Sequence, residues 1–342
     1  MHLLSYTPWK QAQKSKAILI LASVFSVAAI WYFLVAHQSP SRDPGFGHLD
    51  RPLVPKYAIA TFLTGQSSSR NDEKDDGYFI ATRILAYQLL HANETRCHDR
   101  SIPFIVMVTS TVSRRKREQL VKDGATVRLV EDIPLRWWIK TGVTRWMDQF
   151  TKLRLLEMTE YDRVLFIDAD TLITRPVDGI FHDANIRAPY PTQFQRKESI
   201  KSDEMALLPA EYVFAARSDN ALTGERDHPF PPLPTTVFSA GFWVAAPSPA
   251  MFQYLLSVMN HYRRFDPHTM EQSLLNYAFR RDGPMPWVEL DYQWSSTWPS
   301  EKDVEGNVAS LHEKFWRTGP ERLREKWQDA RRDMEAYYGT RR

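Results

Sequence analysis

The most apolar part of the chain lies near its N-terminus. Residues 17–36 hold no charged side chain and include Ile18, Phe25 and Leu34. A helix rises about 1.5 Å per residue, so this stretch would cover roughly 30 Å, the thickness of a hydrocarbon core. The pattern predicts a transmembrane helix over residues 17–36.

Charges on either side of this stretch predict its orientation. Three lysines precede it within residues 1–16, whereas Arg42 and Asp43 nearly cancel each other behind it. Because excess positive charge stays on the cytoplasmic side of a membrane, we predict a cytoplasmic tail over residues 1–16 and a lumenal remainder, the type II orientation. A cleaved signal peptide is the alternative, although its apolar core would span only about 7–15 residues.

Beyond the apolar stretch, the pattern changes twice. Residues 37–56 are rich in proline and glycine and lack an apolar period, which predicts an extended stem. Over residues 57–318, apolar runs then alternate with segments of helical spacing. The apolar runs cover 57–63, 102–108, 125–130 and 163–167. Between them, apolar residues at helical spacing predict one helix with Ile80, Ile84 and Tyr87, a second from about Ser113, and a third with Trp146, Phe150 and Leu153. Strands separated by helices predict an α/β domain with a parallel sheet covered on both faces.

Two other segments differ from this alternation. Residues 196–236 contain several prolines and little period, which predicts a long surface loop. Residues 319–342 carry many charges around Leu323 and Trp327, which predicts a C-terminal helix on the domain surface.

Composition narrows the classes of function. The formal net charge is +3 with both signs scattered along the chain, so no nucleic-acid-binding surface is predicted. Cys97 is the lone cysteine, so the chain cannot form an internal disulfide. It is either a buried or free thiol or is bonded to another chain, and a homodimer is therefore one possible assembly. Residues 93–95 match the N-glycosylation sequon, on the side predicted to be lumenal.

Two carboxylates separated by one residue follow the apolar run 163–167. Asp168 and Asp170 would therefore stand at the carboxyl end of a buried strand, where ligands bind in open α/β sheets. Carboxylate oxygens suit Mn²⁺ or Mg²⁺, which proteins often share with substrate phosphates. The same triplet also occurs as an Asx turn without chemistry.

Residues 150–172, which contain this triplet, resemble the glycogenin-like members of glycosyltransferase family 8. Further segments match the family in the same order along the chain: 61–64 with 76–78, 239–244, 271–276 and 311–316. Three positions depart from the family pattern. Ser239 replaces an asparagine, Glu271 replaces an aspartate, and Lys314 follows the late histidine by only two residues.

This resemblance implies a GT-A fold, the Rossmann-like fold of nucleotide-diphospho-sugar transferases, over residues 57–318. It also implies transfer of a sugar from a UDP-sugar to a glycan or glycoconjugate acceptor, with retention of the anomeric configuration. The implied ligands of Mn²⁺, or of Mg²⁺ in its place, are Asp168, Asp170 and His312. His312 can reach the carboxylates only if its strand returns beside residues 163–167.

The same resemblance assigns roles to the other site residues. The implied donor-binding residues are Phe62, Leu63, Thr64, Tyr78, Lys152, Ala169, Ser239, Ala240, Gly241 and Lys314. Lys152 would meet the ribose or the diphosphate, where an ammonium offsets phosphate charge. Catalysis would fall to Glu271, as nucleophile or electrostatic stabiliser, and to Gln272, through its carbonyl oxygen.

A short anchor followed by a stem is the layout of type II Golgi enzymes, and the resemblance is to fungal members of this kind. It implies a Golgi membrane protein with its catalytic domain in the lumen. N-Acetylglucosamine is the sugar that we favour, with glucose and galactose behind it.

Two rival classes fit parts of the same sequence. Residues 164–171 also fit the haloacid-dehalogenase phosphatase signature, with Asp168 as nucleophile and Asp170 as acid. That fold opens with its motif, whereas about a hundred residues of α/β pattern precede the motif here. The other rival is a membrane-tethered glycan-binding or scaffold protein whose site is inactive.

Overall fold

The computed structural model describes residues 56–65, 76–140, 144–196, 201, 204, 207–223 and 226–340. The predicted cytoplasmic tail and transmembrane helix lie outside the described residues, as does the stem apart from Lys56. Among the helices of the described part, none combines the length and the apolar character that a membrane span requires.

The described residues form a mixed α/β domain. Its strands are β1 (Tyr57–Leu63), β2 (Phe104–Val108), β3 (Thr126–Leu129), β4 (Arg163–Ile167), β5 (Thr171–Ile173), β6 (Tyr190–Pro191), β7 (Glu211–Tyr212), β8 (Phe214–Ser218), β9 (Phe238–Ala245), β10 (Val288–Glu289), β11 (Ser296–Thr297) and β12 (Ser310–His312). Its α-helices are α1 (Gly77–Leu90), α2 (Arg114–Lys122), α3 (Ala184–Arg187), α4 (Pro249–Asn260), α5 (Met270–Ala278), α6 (Glu301–Glu305) and α7 (Glu321–Gly339). Helices of 3-10 type cover Thr144–Glu157, Asp178–His182, Asn220–Thr223 and Pro267–Thr269.

A seven-stranded sheet in the order β10-β8-β9-β4-β1-β2-β3 forms the centre of the domain. Strands β3, β2, β1 and β4 run parallel to one another, whereas β9 is antiparallel to both of its neighbours, β4 and β8. The prediction of a parallel sheet is therefore wrong at β9. No described α-helix crosses over between β8 and β9, and strands joined without such a crossover pair in opposite directions.

The core lies on both faces of this sheet because alternate residues of each strand point to opposite sides. Ala60 and Phe62 of β1 belong to one cluster, together with Phe150 from the 3-10 helix and Leu274 from α5. Ile59 and Leu63 of the same strand belong to another, together with residues of α1 and α2. Helices thus cover both faces, and the carboxyl end of β1 is fixed in place.

One sequence-based prediction about local structure is wrong, and another gains detail. The segment 196–236 is not one long loop, because it contains β8, whose residues are all buried within the central sheet. The helix predicted to carry Phe150 and Leu153 is present and is of 3-10 type, with both of these side chains buried. Arg217 follows the short apolar run 212–216, and the prolines on either side of this run favoured a loop in the sequence pattern.

The strand that carries His312 was predicted to return beside residues 163–167, but it pairs with a neighbouring strand instead. Strand β12 pairs antiparallel with β5, which immediately follows the Asp-Ala-Asp triplet, rather than with β4. His312 stands opposite Thr171 in that register. The late strand thereby reaches the carboxyl end of β4 through a small second sheet of order β11-β12-β5.

Candidate metal centre and adjoining pocket

Asp168, Asp170 and His312 converge at the carboxyl end of β4. Their ligand atoms all lie within 4.8 Å of one another. Backbone hydrogen bonds fix the two carboxylates from both sides, since the Asp168 amide donates to the Gly241 carbonyl at 2.9 Å and the Glu313 amide donates to the Asp170 carbonyl at 3.0 Å. Strands β9 and β12 thus hold the triplet between them.

The histidine ring faces both carboxylates. Its Nε2 lies 3.1 Å from Asp170 Oδ1 and 3.7 Å from Asp168 Oδ2. Burial alone would lower the pKa of His312, but the nearby Asp170 carboxylate outweighs it and the pKa is raised. Burial would likewise raise the pKa of Asp170, but His312 and the cations around it hold that pKa well below its usual range.

These side chains fit a small divalent cation. Two carboxylates and one imidazole are a donor set that Mn²⁺ accepts readily. The space between the carboxylates is approached by an imidazole of raised pKa and by the Lys314 ammonium, 3.4 Å from Asp170 Oδ2. The cluster thus favours positive charge at the point where a cation would bind.

Gly241 allows the histidine to approach β9. A Cβ atom at this position would lie 2.5 Å from Cε1 and Nδ1 of His312 and 3.2 Å from Asp168 Oδ2. Carbon atoms do not approach so closely, and the ring cannot retreat without leaving the carboxylates. Glycine is therefore required at this position by the close approach of two strands, not by an unusual backbone angle.

Lys152 links the metal centre to the predicted catalytic pair. Its Nζ lies 2.7 Å from Asp168 Oδ1 and 2.7 Å from Glu271 Oε1. Burial disfavours the ammonium, but the two carboxylates outweigh burial and raise the Lys152 pKa. This ammonium orients both carboxylates, a role that the sequence did not predict for it.

Glu271 lies in the first turn of α5 and is 2% exposed. Burial raises its pKa, while the ammonium of Lys152 opposes that shift. Its second oxygen, Oε2, is buried and forms no hydrogen bond with the described residues. Because an unsatisfied buried carboxylate oxygen is costly, this atom is available to a hydrogen-bond donor that enters the pocket.

The neighbouring Gln272 has a fixed side-chain orientation. Its Oε1 accepts a hydrogen bond from the Ala240 amide at 3.1 Å, and its Nε2 donates to Asp219 Oδ2 at 3.0 Å. Asp219 directly follows β8 and is buried. The sequence analysis missed Asp219 because it missed β8, whose end places this carboxylate at the site.

The metal-centre residues, together with Lys152, Glu271 and Gln272, line one pocket whose cavity volume is about 180 Å³. Part of this pocket is open to solvent. The sequence-predicted residues that line it are Phe62, Leu63, Thr64, Tyr78, Lys152, Asp168, Ala169, Asp170, Ala240, Gly241, Glu271, Gln272, His312 and Lys314. Ser239 does not line it: this residue is buried, and its Oγ accepts a hydrogen bond from the Gly241 amide.

Gln149 and Met270 also line the pocket, and neither was predicted. Gln149 directly precedes the segment that carries the resemblance. Met270 begins α5 with a φ of 58°, a backbone angle that sequence patterns do not indicate. Only its position beside Glu271 could have suggested it.

Comparison with known proteins gives relatives of several kinds. No profile of a known protein family matches the chain. Two Schizosaccharomyces pombe proteins, uncharacterized protein C4C3.09 and uncharacterized protein C5H10.12c, are each 30% identical to it; the alignments cover 83% and 77% of this chain and 79% and 74% of theirs. Galactinol synthase 4 of Arabidopsis thaliana is 26% identical over 92% of this chain and 88% of its own length.

Two further proteins extend the comparison. Inositol phosphorylceramide glucuronosyltransferase 1 of Arabidopsis thaliana is 24% identical over 54% of this chain and 30% of its own length. Among solved structures, the galactosyltransferase LgtC in complex with donor and acceptor sugar analogs aligns with a TM-score of 0.41 at 12% identity, over 75% of this chain and 86% of LgtC.

Proposed function

This chain belongs to one family with the two fission-yeast proteins, its other relatives include glycosyltransferases, and we propose that it is itself a metal-dependent glycosyltransferase with a GT-A fold. The single observation that carries this proposal is the convergence of Asp168, Asp170 and His312 beside a pocket at the carboxyl ends of β1 and β4. We propose a UDP-sugar as donor, a glycan or glycoconjugate as acceptor, and retention of the anomeric configuration.

The metal site has a defined part in this proposal. Mn²⁺ or Mg²⁺ bound by Asp168, Asp170 and His312 would supply positive charge for the diphosphate that leaves the sugar. Lys314 lies on the same side, since its Nζ is 3.4 Å from Asp170 Oδ2, and its ammonium adds a further charge for the leaving group. The partly exposed end of this lysine is accessible to a ligand.

Glu271 and Lys152 hold fixed positions beside the proposed site of the sugar. In the overall reaction, the bond between the anomeric carbon and the phosphate oxygen breaks, the acceptor oxygen bonds to that carbon, and the acceptor proton passes to the released diphosphate. Glu271 faces the pocket with its second oxygen unsatisfied, and its carboxylate stabilises positive charge that develops on the sugar. Lys152 prevents this carboxylate from turning away, because it binds the other oxygen.

The charges of the pocket favour an uncharged sugar. Beside Glu271, where the sugar would lie, the described pocket lining offers one ammonium group, Lys152, which is already bound to two carboxylates. The other positive groups, Lys314, His312 and the metal, would meet the diphosphate. A uronic acid donor would bring another carboxylate without a matching cation. We therefore propose a neutral hexosyl donor, with UDP-N-acetylglucosamine first and UDP-glucose and UDP-galactose behind it, although four of the similar proteins are glucuronosyltransferases by name.

The membrane setting is proposed from the sequence alone. A charge-free stretch over residues 17–36, preceded by lysines, supports a single-pass type II anchor. We propose the Golgi membrane as its location, with the catalytic domain in the lumen. Expression with a C-terminal fluorescent reporter tests this, and a plasma-membrane or cytosolic signal would contradict it.

One assay separates the proposed function from its two rivals. The purified protein is incubated with Mn²⁺ and each of a panel of UDP-sugars, including UDP-glucuronate, and released UDP is measured. A glycosyltransferase should hydrolyse one neutral UDP-sugar slowly even without acceptor. A haloacid-dehalogenase phosphatase would ignore UDP-sugars and cleave phosphate monoesters, and an inactive scaffold would release nothing.

A further inference from the structure

The segment after His312 turns back on itself and carries Trp316 beside the pocket. The amides of Arg317 and Thr318 both donate to the carbonyl oxygen of Lys314, at 2.7 and 2.8 Å. Gly319, with a φ of 99°, then redirects the chain into α7. The pocket-lining Lys314 and the C-terminal helix are therefore joined by one short turn.

Trp316 packs tightly against the start of α1. Its ring meets that of Tyr78 edge-on, with centroids 5.1 Å apart and an interplanar angle of 72°. At the preceding Gly77, a Cβ atom would lie 2.7 Å from both Cδ1 and Cε2 of the indole. The indole therefore lies directly on the backbone of the first helical turn, and Tyr78, which lines the pocket, rests against its edge.

On its other side, Trp316 meets the C-terminal helix. The ring of Trp327 lies 5.9 Å from it at 45° and is only 2% exposed. Trp327, Leu323 and Met334 anchor α7 in a cluster with residues of α1. Helix α7 thus contacts α1 in two ways. It packs on α1 directly, and it supports Trp316, which packs on the first turn of α1.

We propose that α7 positions the nucleotide side of the donor pocket through the chain of contacts from Trp327 to Trp316 to Tyr78. This inference rests on the proposed function, because it assigns the nucleoside diphosphate of the donor as the ligand that Tyr78 meets. Trp316 and Trp327 are positioning residues and do not touch the ligand. Without Trp327, the indole of Trp316 would have space to turn, and Tyr78 would lose the surface that fixes its ring.

The position of the contacts determines which kinetic constant should change. Tyr78 would contact the nucleotide, which is bound equally in the ground state and in the transition state. Loss of such uniform binding raises the donor KM and leaves kcat nearly unchanged. A helix that only covered the core would affect thermal stability and neither constant.

The test compares two buried residues of the same helix. Trp327→Leu should raise the Kd of UDP, measured calorimetrically in Mn²⁺, and the donor KM by about three- to tenfold, with kcat within about twofold of wild type. Trp327→Phe should restore most of the affinity, because an aromatic ring again supports Trp316. Met334→Ala, at a position 1% exposed in the same cluster, should lower the melting temperature and leave the Kd unchanged.

A second variant approaches Trp316 from the opposite side, should Trp327→Leu fail to fold. Gly77→Ala places a methyl group against the indole and should raise the Kd of UDP in the same way. An unchanged Kd in Trp327→Leu or Gly77→Ala, or an equal rise in Met334→Ala, would overturn the role of α7. A wild-type protein that binds neither UDP nor any UDP-sugar would instead overturn the proposed function, and this inference with it.

Discussion

Asp170 is the most constrained carboxylate of the metal centre. It is 7% exposed, and the imidazole of His312 and the ammonium of Lys314 both approach it. Replacing it or Asp168 by asparagine removes a charge directed at the cation while keeping the shape of the side chain. The two positions therefore test the metal centre with little change in packing.

We expect Asp168→Asn and Asp170→Asn each to lower Mn²⁺-dependent turnover by roughly a thousandfold, about 4 kcal/mol at the transition state. Circular dichroism should show an intact fold in both variants. Asp282→Asn is the matched control, since this carboxylate is 81% exposed, and it should keep wild-type activity. Turnover near the wild-type rate in either site variant would remove the triplet from the mechanism.

His312 gives a pH-dependent prediction for the metal-free protein. Asp170 raises its folded-state pKa above the unfolded value of about 6.5. Its stabilising contribution is then fully present below that unfolded value and is lost as pH rises through the raised folded value. The melting temperatures of wild type and His312→Ala, both in chelator, should therefore differ most near about pH 6 and converge in alkaline buffer. A difference that does not vary with pH would contradict the ion pair.

The structure also shows the environment of the Cys97 thiol. It is 5% exposed, and burial together with the nearby Asp178 raises the pKa of its thiol to about 12. Of the alternatives left open by the sequence, the structure thus favours a buried thiol over a bond to another chain.

We expect this thiol to resist alkylation in the native protein at pH 8, because both burial and the scarcity of thiolate suppress the reaction. The same protein in guanidinium should be labelled at one site per chain. Stoichiometric labelling of the native protein, or a disulfide-linked dimer on a non-reducing gel, would show that Cys97 is accessible.

At the scale of elements, the approach of β12 to β9 is the critical geometry. The two strands belong to different sheets, and Gly241 is the point where His312 of one comes against the backbone of the other. A side chain at this position would displace the imidazole from the carboxylates. The metal centre therefore depends on a contact between elements as well as on its own ligands.

Gly241→Ala should weaken Mn²⁺ affinity by about 10- to 100-fold, the range found when groups that orient a metal ligand are lost. Gly339→Ala serves as its control, since a Cβ at Gly339 meets nothing within 4 Å, and it should bind Mn²⁺ normally. Titration calorimetry measures both affinities. Wild-type Mn²⁺ affinity in Gly241→Ala would show that His312 is not a ligand.

The elements also show where sequence patterns suffice and where they do not. Strand β1 follows its apolar run from Tyr57 to Leu63, and α2 begins after Ser113, whose hydroxyl caps it by accepting from the Lys116 amide. Both signals are local. Strand β8 contains the charged Arg217, which is buried and forms an ion pair with Glu289, more than seventy residues away. A local pattern cannot show such a partner.

The same distinction applies to the site. Asp168 and Asp170 could be identified from an adjacent strand, and the resemblance to a known family supplied His312, Glu271 and Gln272. The sequence could not show that Lys152 bridges Asp168 and Glu271, or that Asp219 fixes the Gln272 amide. These contacts join residues that are far apart in the chain, so they follow from the fold alone.

For the molecule as a whole, we propose that the pocket transfers a sugar from a UDP-sugar only when a divalent cation occupies the Asp-Asp-His centre. The most direct measurement is release of UDP from neutral UDP-sugars by wild-type protein that has been stripped with chelator and then titrated with Mn²⁺. We predict no detectable release without metal, saturable recovery on adding Mn²⁺ for one neutral donor, and no recovery in Asp170→Asn. Equal UDP release with and without chelator, or none with any UDP-sugar in Mn²⁺, would contradict the account.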